Sequence, residues 1–269
     1  MLGLGWLLVY MALGSFVGFM GGLLGVGGGG ILVPLLASIL VYQGIGGDKV
    51  VHLALGTSLM CMVISSTAST RAHASQDAVV WKVVSGMAPG IILGTLLSTQ
   101  VAANLNSAYI ALFFALFMAL VAVQMFVNWQ PKPSLKPITF RGLLPVGVAI
   151  GAIAALAAVG GGFLTVTYLS YKKIGMKRAI GTSAAIGFPI AISGTIGYMI
   201  SGWSKTLSEP YTIGFIYLPA FLAISIASSI AAPYGAHCSH RLPEASLKKI
   251  FAVISLILSL RMLLSFVKF

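Results

Sequence analysis

Two runs of glycine stand inside otherwise apolar sequence: residues 21–34 read GGLLGVGGGGILVP and residues 157–167 read AAVGGGFLTVT. Repeated glycine in such a setting either lets a second backbone come close or interrupts a helix and frees its N–H groups. The setting is a membrane, because the chain is 58% hydrophobic and only 7% charged, against about a quarter charged in ordinary soluble domains. Bare backbone at membrane depth is tolerated only where protein covers it or where it lines a cavity that holds something polar. The glycine runs therefore decide what the fold can be.

A membrane-crossing helix needs about 20 apolar residues. That length divides the chain into a span at 2–24, a short arm at 31–42, and spans at 51–70, 79–100 and 107–128. A polar connection with three prolines follows at 129–141. The pattern then restarts with a span at 143–159, a short arm at 163–171 and spans at 179–201, 212–232 and 247–267. Gly14, Gly18, Gly27, Gly28 and Gly29 each find a glycine 133 residues later, at Gly147, Gly151, Gly160, Gly161 and Gly162. Ala54-Leu55-Gly56-Thr57-Ser58 is echoed by Ala179-Ile180-Gly181-Thr182-Ser183. The coincidences indicate a duplication: a first repeat at 1–128, a linker at 129–141 and a second repeat at 142–269.

The basic residues set the orientation. If each glycine run is the tip of a hairpin, Arg71, Lys82, Lys132, Lys136, Arg141, Lys172, Lys173, Lys177, Arg178, Arg241, Lys248 and Lys249 share one side, and Lys49, Lys205, Arg261 and Lys268 the other. If each pair of arms is one broken crossing, the same residues split evenly. The positive-inside rule favours the hairpins, with the linker cytoplasmic and both termini outside. The expected fold is an all-α membrane protein of two inverted repeats, each a glycine-broken helical hairpin plus three transmembrane helices. The short arms, at about 1.5 Å per residue, reach mid-membrane, where both tips are expected to meet.

At each tip a helix begins just after the glycines, and its unpaired N–H groups and positive dipole end form an anion site that needs no basic side chain. Gly27, Gly28, Gly29 and Gly30 and then Gly160, Gly161 and Gly162 are the candidates, with tight helix packing as the competing reading. Gly14, Gly18 and Gly22 lie on one helix face, and packing is the expectation for them. Thr57, Ser58, Thr182 and Ser183 are candidate neutral donors to an oxyanion. Their alternative is bonding to helix carbonyls or a neighbouring helix. His52 and Arg178, about one turn before Thr57 and Thr182, are peripheral candidates, as anion collectors at the mouths or as interfacial anchors. His73, His237 and His240 receive no role.

Other chemistry is excluded by what the sequence lacks. The four acidic residues, Asp48, Asp77, Glu209 and Glu244, lie in loops or at span ends, which argues against a carboxylate ion relay. Cys61 and Cys238 have no metal-binding spacing. Gly25, Gly27 and Gly30 match a GxGxxG pattern, but a long apolar helix rather than a strand precedes it. No nucleophile with a base falls within the spans, so neither enzyme, metal nor cofactor is expected. The basic residues lie in short loops and give no nucleic-acid surface.

The paired segments GFMGGLLGVGGGGILVPLL with HLALGTS, and AAVGGGFLTVTYL with KRAIGTSAA, resemble the TauE/SafE sulfite exporter family of membrane permeases along essentially the whole chain. One departure is Thr167, which stands where the first half has Pro34. The resemblance implies a multi-pass protein of the cell inner membrane that transports a small sulfur-containing or organic anion such as sulfite, thiosulfate or a sulfonate. Alternating access between the two repeats is the expected mechanism. An anion channel and a non-transporting scaffold or assembly factor are the alternatives. The expected partners are the anion and the lipid bilayer, and the faces of Gly18 and Gly151 leave either internal packing or a homodimer open.

Overall fold

The computed structural model describes residues 4–25, 27–127, 140–206 and 210–266. The linker expected at 129–141 lies almost wholly outside these, as do Lys132, Lys136, Glu209 and Lys268. The described residues form ten α-helices: α1 (Leu4–Leu24), α2 (Gly29–Gln43), α3 (Val50–Ala74), α4 (Trp81–Asn104), α5 (Ser107–Val127), α6 (Phe140–Ala157), α7 (Gly162–Tyr171), α8 (Met176–Gly202), α9 (Leu218–Arg241) and α10 (Glu244–Phe266). Six of the described helices are long and apolar enough to cross a membrane. Large side chains such as Leu97, Leu120, Ile230 and Leu264 are exposed on their outer faces, as lipid contact requires.

The first hairpin closes on itself. Tyr10, near the start of α1, donates its hydroxyl to Gln43 at the end of α2 at 2.8 Å. Trp6 packs against Tyr42 with the rings tilted at 55° and their centroids 5.8 Å apart. The start of α1 and the end of α2 are therefore on the same side, and the glycine run is the turn between them.

One expected boundary is wrong in an informative way. The span expected at 212–232 begins as a helix only at Leu218, because residues 212–217 form a two-stranded hairpin, β1 (Thr212–Ile213) against β2 (Ile216–Tyr217). Gly214 supplies a positive φ of 54° for its turn, and Pro219 at the helix start has no N–H to place there. Hydropathy is blind to both effects.

Packing couples the two halves. The α1 face bearing Gly14, Gly18 and Gly22 lies on α9, where a Cβ added at Gly18 would come within 2.5 Å of Ser228 Cα. Gly147 and Gly151 on α6 lie in the same way on Met87 and Ile91 of α4. These small-residue faces are consumed inside the chain. At the centre α3 packs on α8, with Gly194 against Leu59 and Gly187 against Ser66. Sequence numbers rise on one helix as they fall on the other, so α3 and α8 run antiparallel.

Candidate functional site

The two glycine tips come together. A Cβ added at Gly27 would stand 3.9 Å from Gly160 Cα, Gly29 abuts the Ala158 carbonyl, and a Cβ on Gly30 would come within 2.6 Å of Val159 Cγ2. The level is the middle of the long helices: Gly27 lies against Met62 of α3, and Gly187 of α8 lies 3.4 Å from the Gly160 carbonyl, measured from an added Cβ. Gly28 and Gly161 are the N-cap residues of α2 and α7, with φ of 76° and 71°, and neither cap has a side-chain hydrogen bond. That left-handed conformation suits glycine and strains every other residue.

The first N–H groups of a helix have no partner within it. At α2 the Gly28 carbonyl accepts from Ile31 and Leu32, and at α7 the Gly161 carbonyl accepts from Thr165 at 2.7 Å. The preceding amides, of Gly29 and Gly30 and of Gly162, Phe163 and Leu164, remain the ends of the two helix dipoles. Two positive helix ends at one spot repel one another weakly, and an anion between them relieves this.

The Gly-Thr-Ser elements divide by residue. A Cβ on Gly56 would strike the Phe215 carbonyl, and Thr57 Oγ1 accepts the Tyr217 N–H at 2.9 Å, just before α9. In the other half, Gly181 faces the Ala78 carbonyl and Thr182 Oγ1 accepts the Val80 N–H at 2.9 Å, just before α4. Each Gly-Thr pair thus holds the non-helical segment that leads into a long helix of the opposite half. The serines differ: Ser183 donates to the Gly25 carbonyl at 3.0 Å, whereas Ser58 Oγ is buried without a protein partner.

The peripheral candidates stand apart from the tips. His52 is fully buried, with Nε2 donating to the Ala102 carbonyl at 3.0 Å and Nδ1 3.2 Å from Ser107 Oγ. Arg178 is exposed in the first turn of α8. Two contacts carried no sequence signal. Met62 lays its thioether over Gly27 and Gly29, with Sδ 2.8 and 3.3 Å from where their Cβ atoms would be. His73 Nε2 donates to the Gly22 carbonyl at 3.3 Å, so its Nδ1 accepts from His240 Nε2 at 3.0 Å, tying together the ends of α3, α1 and α9. Ser65, on the polar face of α3, donates to the Gly27 carbonyl at 2.9 Å and fixes the first tip.

A multi-pass helical chain whose centre is two meeting helix starts, bare of side-chain caps, has the build of a membrane transport protein. Residues 10–262 match the sulfite exporter TauE/SafE family, and the chain belongs to it. A "probable membrane transporter protein" of Haemophilus influenzae is 32% identical over 263 residues, covering 96% of this chain and 98% of the relative. A protein of the same description from Methanocaldococcus jannaschii is 27% identical over 253 residues, covering 93% of each. No solved structure matches the chain.

Proposed function

We propose that the protein is a secondary transporter of the cell inner membrane, not an enzyme, and that it moves a small sulfur-containing or organic anion of the sulfite, thiosulfate or sulfonate type by alternating access. The observation that carries this reading is the meeting of two uncapped helix N-termini, α2 and α7, halfway along α3 and α8. The anion accepts from the amides after Gly28 and Gly161 and from Ser58, whose buried hydroxyl has no protein partner. Gly27, Gly160 and Ser183 shape the tips, while Thr57 and Thr182 hold the segments before α9 and α4 in place. His52 and Arg178 lie outside the anion's shell. Without a lysine or arginine at the tips affinity is modest, which suits a carrier that must also release its cargo.

The repeats, 1–128 and 142–269 joined by the cytoplasmic linker 129–141, are inverted with respect to one another. Antiparallel α3 and α8, the third helices of the two repeats, support this, since equivalent helices of a same-sense duplication run parallel. Rocking of one repeat against the other then exposes the tips to each side in turn. The small-residue faces of Gly18 and Gly151 are used internally, so a homodimer would be built on other surfaces.

The test is uptake of radiolabelled sulfite, thiosulfate and a sulfonate into proteoliposomes, with and without a pH gradient. Saturable flux of one anion that accelerates with unlabelled anion on the far side supports the reading and excludes a channel. No flux of any of them under either gradient rejects the sulfur-anion assignment and moves the scaffold reading to the front.

A further inference from the structure

Thr165 is the fourth residue of α7 and fully buried, and its hydroxyl has no hydrogen-bond partner. A buried hydroxyl left unpaired costs stability, and helical Ser and Thr usually avoid this by bonding the carbonyl one turn back. Thr67 does so on Val63 at 2.7 Å, Ser38 on Pro34 at 2.8 Å and Ser193 on Pro189 at 2.6 Å. Thr165 does not, although the Gly161 carbonyl is one turn back and accepts its N–H. Its Oγ1 instead leans over the helix start, 3.0 Å from where a Cβ on Gly161 would stand. A side chain at position 161 would press on that oxygen and on Ile190 and Ile186 beside it, and glycine avoids this. Among the described residues, the other unpartnered buried hydroxyls, such as Ser58, Thr195 and Ser255, lie beyond the first turn of their helices.

The feature belongs to one hairpin. The residue 133 positions earlier is Leu32, which is apolar and buried in the first turn of α2. The first tip is instead braced by Ser65 on the Gly27 carbonyl, a bond that leaves no donor over.

We propose that Thr165 is a substrate-binding residue, donating its hydroxyl to an oxygen of the anion at the α7 N-terminus, so that the second hairpin grips the anion more firmly than the first. The inference rests on the transport reading above and adds a residue and an asymmetry to it. The anion is oriented: its most basic oxygen sits over Gly161 and Thr165, and its remaining atoms face Gly29, Gly30 and Leu32.

The experiment measures the midpoint of thermal unfolding of purified wild type, T165V and T165S against increasing sulfite, thiosulfate or a sulfonate, together with radiolabelled uptake. A hydrogen bond to a charged group is worth about a tenfold change in affinity or more. Val matches Thr in shape and removes the unpaired hydroxyl. T165V therefore unfolds at the same temperature as wild type or higher without anion, needs about tenfold more anion for the same stabilisation, and takes up the anion with a raised KM. T165S keeps wild-type affinity. If T165V responds to anion as wild type does, Thr165 is not a ligand and the transport reading stands. If T165V does not fold, T165S and T165A decide, and equal affinity in the two overturns the proposal. If wild type itself neither takes up nor is stabilised by any of the three anions, the transport reading fails and this inference with it.

Discussion

Thr57→Val and Thr182→Val separate a hydroxyl that holds the fold from one that holds a substrate. Each threonine accepts a backbone N–H, from Tyr217 and Val80 respectively, at 2.9 Å. Valine has nearly the same shape but no acceptor, so the substitution leaves a buried N–H unpaired at a cost of about 1–3 kcal/mol. An unfolding entropy of about 2.1 cal/mol/K per residue across 269 residues makes each kcal/mol worth about 2 °C. Either variant is therefore expected to unfold about 2–5 °C below wild type, and Thr57→Ser and Thr182→Ser, which keep the acceptor, within about 1 °C of it. The assay is a thermal ramp in detergent, followed by the fluorescence of the four tryptophans. Unchanged midpoints in both valine variants, with anion flux abolished, would refute the reasoning and move both threonines into the binding shell.

The neighbouring residues carry predictions of the opposite kind. Ser58→Ala removes a buried hydroxyl that no protein group uses, so the anion-free protein keeps or gains stability while the KM for uptake rises about tenfold. Gly18→Val drives a side chain into Ser228 on α9 and is expected to abolish folded protein in detergent, read by size-exclusion chromatography. Gly28→Ala combines a φ of 76° with a Cβ 2.7 Å from Val17 Cγ1. It is expected to cost about 1–2 kcal/mol in strain alone, seen as a lowered unfolding midpoint with or without anion.

Much of the fold was legible because a membrane offers the chain few choices. Helix lengths follow from the bilayer, and the glycine runs located the starts of α2 and α7 to within a few residues. Arms expected at 31–42 and 163–171 are α2 at Gly29–Gln43 and α7 at Gly162–Tyr171. Legibility failed where apolar sequence was not helical. Residues 212–217 and 79–80 read as span by hydropathy, yet neither stretch is helical, and the segments before α9 and α4 sit instead on Gly56-Thr57 and Gly181-Thr182. The recurrence of Gly-Thr-Ser was visible in the sequence. That the glycine makes room for a carbonyl and the threonine takes an amide across the molecule was not, because the partner lies 160 residues away for Thr57 and 102 for Thr182. Thr165 had a signal, a hydroxyl one helical turn after Gly161, but only burial without a partner distinguishes it from a threonine bonded to its own helix. Met62 over Gly27 and Gly29 had none, since a methionine in an apolar helix is unremarkable.

The central claim is that an anion sits between two meeting helix starts. The most direct measurement is a structure determined at saturating concentration of whichever anion the uptake assay selects. The account predicts density within about 3 Å of the amides of Gly162 and Phe163 and of the Thr165 hydroxyl, a hydrogen-bond length, with Gly29 and Gly30 on its other side. An ordered anion elsewhere in the molecule, with the two tips still closed on each other, would contradict it.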